Sequence, residues 1–335
     1  MTNIIGAAPA SAPPAPRTVQ VGADAEGQRL DNFLLRELKG VPKTHVYRII
    51  RSGEVRVNKG RAAADTRLAL GDQVRLPPLR LSERAEHKAQ AMAGRAAPAR
   101  SFPVLYEDEA FLAIDKPAGV AVHGGSGVDF GVIEQLRMAR PGALFLELVH
   151  RLDRETSGVL LVAKKRSALK ALQDQFRGRE TGKTYLALAV GAWPANRKVL
   201  DKPLVRYLLP GRSGTEGERR VRVTARDDPE GMRSITLVKL ARQLAEFSLL
   251  EVTIKTGRTH QIRVHLASEG HPIAGDDKYG DFALNKALAR RGLARMFLHA
   301  WQLRIAHPAS GAPVELQAAL PPELDGFLAA CAPAE

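Results

Sequence analysis

His150-Arg151-Leu152-Asp153-Arg154-Glu155-Thr156-Ser157-Gly158, running on into Val159-Leu160-Leu161-Val162-Ala163, decides how this chain is read. One carboxylate, Asp153, lies among three cations or potential cations, His150, Arg151 and Arg154. Opposite charges nearby favour the charged form, so the spacing predicts an aspartate that stays ionised at neutral pH. Such a side chain can act as a nucleophile, a base or an electrostatic stabiliser. The apolar run Val159 to Ala163 predicts a strand buried on both faces. Phe145 to Val149 predicts a strand leading in, which puts Asp153 on a loop held by a rigid frame. Taken alone, an aspartate among arginines reads most simply as a structural salt bridge.

Working outward, Val104 to Asp108 and Ala110 to Asp115 read as paired strands, and Asp115 to His123 as a strand ending in a tight turn that shapes a cleft. Leu169, Leu172 and Phe176 mark an amphipathic helix that stops at Gly178. Tyr185 to Val190 is another strand, and Leu250, Val252 and Ile254 alternate with polar residues as in a strand with one wet face. Thr256 to Leu266 follows that strand and opens a helix with Ile262 and Leu266 among its apolar positions. Tyr207 to Arg233, rich in Gly, Arg and Glu, reads as an inserted loop or mobile hairpin.

The N-terminal third has a different texture. Residues 1–17 are rich in Ala and Pro and predict a disordered tail. The segment from Gln28 to Leu81 holds twelve Lys or Arg against five Asp or Glu, half of the chain's net excess of 14. Leu30, Phe33 and Leu34 fall at helical spacing before a break at Gly40; Val46, Ile49 and Ile50 form a second apolar face closed by Gly53. Glu54 to Val57 and Gln73 to Leu76 alternate like half-buried strands, with turns at Asn58-Lys59-Gly60 and Gly71-Asp72. These features define a small domain over 27–81, a linker of Ala, Arg, Glu and Lys over 82–100, and a large domain over 101–332.

A net charge of +14 on 335 residues points to a polyanionic partner, nucleic acid or an anionic membrane surface. No apolar run approaches a membrane span, and Met1 to Gly6 lacks the marks of a signal peptide. Cys331 is the sole cysteine, so intramolecular disulfides are excluded and a reducing cytoplasm is expected. Gly125-Ser126-Gly127 lacks the spacing of a dinucleotide fingerprint, and Ser157 lacks a nucleophile elbow. His260 and His265 are five apart without the glutamate of a zinc protease helix, so no metal site is expected.

The signature around Asp153 resembles that of the bacterial pseudouridine synthases that modify ribosomal and transfer RNA. Asp115-Lys116-Pro117-Ala118-Gly119-Val120-Ala121-Val122-His123, Lys183-Thr184-Tyr185-Leu186-Ala187 and Thr256-Gly257-Arg258-Thr259-His260-Gln261-Ile262-Arg263-Val264-His265-Leu266 are similar to further segments of that family. So are Gly270 to Ile273, Gly275 to Gly280, Leu298 to Ala300 and Ala306 to Pro308, all read as architectural. The resemblance implies an α+β catalytic domain built on a long, mainly antiparallel mixed sheet with a central cleft. It implies that Asp153 is the catalytic residue, that Tyr185 stacks on the target base and that Arg263 pairs with the aspartate. Ile262 would pack beside the nucleotide; Arg151 and Arg154 are candidate substrate contacts, with Arg154 equally able to anchor its loop. Arg258 reads as a phosphate clamp or a helix-start contact.

Arg29 to Leu34 and Tyr47 to Asn58 resemble an S4-like RNA-binding module of α/β type, in which Lys43, Arg48, Arg51, Arg56 and Lys59 are placed to face phosphates. The run Ala121 to Gly127 and the wording of the first domain favour the subfamily acting on large-subunit ribosomal RNA over its paralogues. The reaction implied is isomerisation of uridine to pseudouridine in 23S ribosomal RNA or its precursor, by a monomer. Every atom of the uridine is retained, so no cofactor is called for. Two alternatives are a related synthase acting on transfer RNA and a non-catalytic RNA-binding protein of ribosome assembly. The latter gives no reason for Asp153, Tyr185 and Arg263 to occur together.

Overall fold

A computed structural model describes residues 15–22, 25–38, 41–78, 97–124, 130–209 and 218–333. The tail up to residue 14, the linker from 82 to 96, the break at Gly40 and the Gly125-Ser126-Gly127 run lie outside the described residues, as do 210–217 of the insertion. The chain divides into two compact units, Met1–Ala96 and Ala97–Glu335.

In the first unit the two expected helices form, α1 (Leu30–Glu37) and α2 (Lys43–Arg51). Leu30, Phe33 and Leu34 meet Val46 and Ile49 in a core that also takes Val74 and Leu76. The sheet has three antiparallel strands, β1 (Arg17–Gln20), β2 (Arg56–Val57) and β3 (Gln73–Leu76), in the order β1-β3-β2. Two features differ from expectation. The alternation from Glu54 shrinks to Arg56–Val57, because the amides of Glu54 and Val55 both turn back to the carbonyl of Ile49 at the helix end. Strand β1 falls where the sequence suggests tail and spacer. It is a largely exposed edge strand, so its four residues carry no apolar period, yet it pairs along β3 and the unit starts ahead of residue 27.

The second unit is built on a ten-stranded sheet. Its strands are β4 (Val104–Glu107), β5 (Phe111–Lys116), β6 (Glu147–Leu148), β7 (Ser157–Ala163), β8 (Gly182–Val190), β9 (Val199–Asp201), β12 (Ile235–Gln243), β13 (Phe247–Ile254), β14 (Leu298–Ala306) and β15 (Pro313–Gln317). Between β9 and β12 lies a separate hairpin, β10 (Leu204–Leu209) and β11 (Glu218–Val223). The helices are α3 (Val132–Ala139), α4 (Arg166–Gly178), α5 (Gln261–Ser268), α6 (Phe282–Arg290) and α7 (Pro322–Ala330). The main path runs β4-β5-β7-β14-β8-β13-β12-β9, with β6 beside β7 and β15 beside β14. Among the described strands only β7 and β14 pair in parallel; the sheet is mixed and mainly antiparallel, and the chain is α+β.

Burial explains the apolar runs. Phe111, Ala113, Val159 and Leu161 face Ala168 and Leu172 of α4, while Leu112, Ile114, Leu160 and Val162 face Val132, Ile133 and Leu136 of α3. Every residue of β7 is buried, as expected of a strand covered on both sides. The lead-in strand is shorter than the sequence suggests, only Glu147–Leu148, paired with the far end of β7. The insertion also departs from its reading: the hairpin begins at Leu204, and Leu204 and Val221 pack on Val264 of α5.

The parallel seam anchors the loop that carries Asp153. Gly158 sits there at φ +109°, and a Cβ at this position would lie 2.2 Å from the carbonyl oxygen of Ala300. Next to it, Arg295 donates to Ser157 Oγ at 2.9 Å, Ser157 is 2.9 Å from Nδ1 of buried His299, and Nε2 of His299 is 3.2 Å from the carbonyl of Ala318. That relay makes His299 a neutral donor at Nε2, and burial lowers its pKa to about 4.

Replacing Gly158 by alanine should destabilise the unit by about 3 kcal/mol through strain and overpacking. Thermal unfolding checks this; an unchanged melting temperature contradicts the seam geometry. The His299 shift has a defined sign. The unfolded chain takes up this proton first, so the stability His299 confers is complete above about pH 6.5 and is lost as pH falls toward 4. Urea unfolding at pH 7 and 4.5 should show His299→Gln losing about 2 kcal/mol less than the wild type across that interval. Identical pH dependence would contradict the neutral assignment.

Candidate active site

Two segments meet at the end of the sheet's seam: the loop between β6 and β7, which carries Asp153, and the turn that opens α5. Buried Gln261 sets the second. Its Oε1 accepts from Thr256 Oγ1 at 2.7 Å and from the amide of Arg258 at 3.1 Å, while Nε2 donates to the carbonyl of Ile235 and to Thr236 Oγ1. The turn is thereby tied to β12, and the helix that follows presents Ile262 and Arg263 toward the loop.

Arg263 is the hub of the site. Its Nε and Nη2 each donate to a different oxygen of Asp276 at 2.7 Å. Nη1 lies 3.4 Å from Asp153 Oδ2, and Nη2 lies 3.4 Å from Asp277. Asp276 is fully buried, and its Oδ1 also accepts from the amides of Lys278 and Tyr279. Burial alone would lower the Arg263 pKa; the bonds and charge of Asp276, with the charge of Asp153, raise it above the ordinary arginine range. Burial pushes Asp276 up, but Arg263 and the two amides outweigh it and the net shift is downward. The carboxylate expected to pair with Arg263 is thus its second partner. A fully buried Asp276 requires bidentate neutralisation, whereas the side chain of Asp153 keeps 28% of its surface in contact with solvent.

A cleft of about 100 Å³ lies over this pair. Of the six residues singled out as catalytic or substrate-binding, Arg151, Asp153, Tyr185, Ile262 and Arg263 line it. Tyr185, on β8, has no hydrogen-bond partner for its hydroxyl among the described residues. Burial first, and the charge of Asp153 second, raise its pKa, so it is a neutral phenol at physiological pH. Arg154 is not on the cleft wall: its Nε donates to the carbonyl of Gly119 at 2.9 Å and ties the loop to the turn after β5, with the guanidinium still largely exposed. Arg258 makes the helix-start contact through its amide, and its side chain donates to the carbonyl of Arg233.

His150 departs from the cation expected of it. It stacks on Phe176 at 4.7 Å, and its Nε2 accepts from the amide of Leu161. Burial lowers its pKa to about 4, with the charge of Lys183 adding to the shift, so it is a neutral prop of α4 and contributes no cation to Asp153. Three other residues have roles that the sequence does not disclose. Lys116 is wholly buried, and its Nζ donates to the carbonyls of Pro117, Val120 and Arg154, which pins the Asp153 loop from below. His260 Nε2 lies 3.9 Å from Asp153 Oδ2, and Tyr279 Oη lies 2.8 Å from His260 Nδ1. In sequence, the segments holding Lys116 and Tyr279 read as architecture; the usable signal is that a buried arginine demands a second, buried carboxylate near it in space.

On the first unit, Lys43, Arg48, Arg51 and Lys59 are exposed and Arg56 is half-buried. Three of them share α2, whose other side buries Val46, Ile49 and Ile50. The helix therefore offers a cationic outer face of the kind phosphates neutralise.

Residues 110–268 match the RNA pseudouridylate synthase family, and residues 28–74 match the S4 domain. The chain is 49% identical over 311 residues to ribosomal large subunit pseudouridine synthase C of Yersinia pestis, covering 93% of this chain and 94% of that protein. It is 50% identical over 307 residues to the Escherichia coli K12 protein of the same name, covering 91% and 93%. Among solved structures, human RNA pseudouridylate synthase domain containing 4 superposes with a TM-score of 0.55 at 26% identity, over 72% of this chain and 95% of that one. Human RNA pseudouridylate synthase domain containing 1 gives 0.56 at 28% identity, over 71% and 91%. With half of its residues shared along nearly the whole of both chains, this protein belongs to the RNA pseudouridylate synthase family.

Proposed function

We propose that the protein isomerises uridine to pseudouridine in the RNA of the large ribosomal subunit, with 23S ribosomal RNA or its precursor as substrate, acting as a monomer in the cytoplasm. The observation that carries this reading is Asp153: a carboxylate open to a small cleft and fixed on one oxygen by Arg263. The names of the bacterial relatives support the choice of RNA. No helix among the described residues is long and apolar enough to cross a membrane, and the positive balance suits a polyanion.

The target uridine must leave its stack, at a cost of a few kcal/mol. Tyr185 offers its ring face to the extruded base, and Ile262 supplies an apolar contact beside it. Asp153 assists breakage of the bond between N1 and C1′. The uracil turns, C5 bonds to C1′, the C5 proton leaves and N1 gains one. Atoms balance without any second substrate. Arg263, already neutralised by Asp276, orients Asp153 without drawing it fully into an ion pair. Because Tyr185 stays protonated, its hydroxyl serves as a donor or proton carrier and not as a standing base. Arg151 lies on the cleft rim, and Lys43, Arg48, Arg51, Arg56 and Lys59 contribute phosphate contacts from the S4 unit.

Asp153→Asn should reduce single-turnover pseudouridine formation by more than about 10³-fold and leave RNA affinity close to wild type; measurable turnover by this variant refutes the assignment. Arg48→Glu with Arg51→Glu should weaken RNA binding and flatten the dependence of log K on log salt by about 1 for each phosphate no longer neutralised. Titrations at several salt concentrations check this, and an unchanged slope shows that α2 touches no phosphate.

A further inference from the structure

We infer that the β10–β11 hairpin, acting through Tyr279, fixes the tautomer of His260 so that its Nε2 proton faces Asp153; Tyr279 and His260 are positioning residues for the reacting carboxylate. This rests on Asp153 having the role proposed above.

The hydrogen bonds around Tyr279 favour one tautomer, because His260 Nδ1 is the acceptor within reach of the phenol proton among the described residues. The amide of Val221, on β11, donates to Tyr279 Oη at 3.1 Å. The phenol then has one proton to place, and His260 Nδ1 lies 2.8 Å away. With Nδ1 accepting, the single proton of a neutral imidazole resides on Nε2. The ring that faces Asp153 therefore presents a donor. Burial lowers the His260 pKa; Asp153 and Asp276 oppose this, and Arg263 and Lys278 reinforce it. Burial raises that of Tyr279, against the Val221 bond and Arg263.

The backbone agrees. His260 adopts φ +53°, one of four non-glycine residues with positive φ among the described residues, and of these it is the one that lines the cleft. Such a conformation is strained and persists where surrounding contacts over-determine it. Here the Gln261 bonds and the edge-on contact of the His260 and Tyr279 rings, centroids 5.5 Å apart, hold it in place.

The consequence lies in which oxygen is engaged. Arg263 Nη1 and His260 Nε2 both approach Oδ2 of Asp153, at 3.4 and 3.9 Å. No hydrogen bond among the described residues reaches Oδ1. Arg263 holds the carboxylate by one oxygen, His260 Nε2 stands near that same oxygen, and the other is left for the nucleotide. A contraction of about 1 Å on RNA entry would bring His260 to hydrogen-bond length, as at sites whose bonds are long before substrate arrives. The hairpin is thus connected to the reacting group through one phenol and one imidazole. Arg206 Nη2 donates to Thr259 Oγ1, seating the hairpin beside the same turn.

The test uses the full chain, ¹⁵N-labelled, with long-range ¹H–¹⁵N histidine spectra assigned by loss of one ring system in His260→Gln. The expected result is an Nε2–H tautomer in the wild type and a shift toward Nδ1–H in Tyr279→Phe. In single-turnover assays with saturating RNA, Tyr279→Phe and His260→Asn should lose about tenfold to a hundredfold in rate, the worth of one hydrogen bond to a charged group, with RNA affinity unchanged. His260→Gln, whose amide nitrogen reaches the Nε2 position, should recover most of that loss. An Nδ1–H tautomer in the wild type overturns the inference, as do wild-type rates in both Tyr279→Phe and His260→Asn. If Tyr279→Phe does not fold, the wild-type tautomer decides alone. Turnover by Asp153→Asn would instead remove the role of Asp153, and the tautomer result would stand apart from it.

Discussion

One buried ion pair organises this protein's chemistry. Arg263 and Asp276 meet in fork geometry with two bonds of 2.7 Å, and neither side chain has appreciable contact with water. Breaking such a pair strands a buried charge and typically costs about 3–5 kcal/mol. The guanidinium is therefore a fixed object with one nitrogen to spare. That nitrogen faces Asp153, which receives a positive neighbour but keeps access to the cleft. Were Arg263 committed to Asp153 alone, the carboxylate would be clamped on both oxygens and closed to a nucleotide. Asp276 is buried and neutralises the arginine, while Asp153 stays open to the cleft.

The frame under Asp153 is equally constrained. β7 is covered on both faces, and its first residues meet β14 in the one parallel pairing among the described strands, at a glycine whose missing Cβ lets the two backbones touch. Beneath the loop, the ammonium of Lys116 meets three carbonyls, matching its three protons. Burial pulls its pKa down to about 7, with the charge of Arg295 adding to the shift and those of Glu155 and Asp153 opposing it. Arg154 adds a strut to the Gly119 turn. The signature reads as a dense set of charges, but much of that charge serves to hold the loop.

Much of the architecture is legible in the residues alone. The run Val159 to Ala163 is a strand buried on both sides, and the spacings of Leu30, Phe33 and Leu34 and of Val46, Ile49 and Ile50 mark real helices, because burial imposes those periods. What escapes has no local signal. β1 is an exposed edge whose partner lies more than fifty residues away. His150 looks like a potential cation beside Asp153 in sequence, yet the bend that follows β6 turns it toward Phe176. Asp276 and Tyr279 are more than a hundred residues from Asp153, and only the packing of α5 against the hairpin and the 276–280 segment brings them into one network. Five of six proposed site residues share the cleft, whereas Arg154 supports it from outside.

The most direct measurement of the central claim is a structure of the Asp153→Asn variant bound to a uridine-containing RNA. The account predicts an extruded uridine stacked on Tyr185, with its glycosidic carbon beside the side chain at position 153 and the Arg263–Asp276 pair intact. A uridine lodged elsewhere on the protein, or an arginine that has left Asp276 to reach it, would contradict the account.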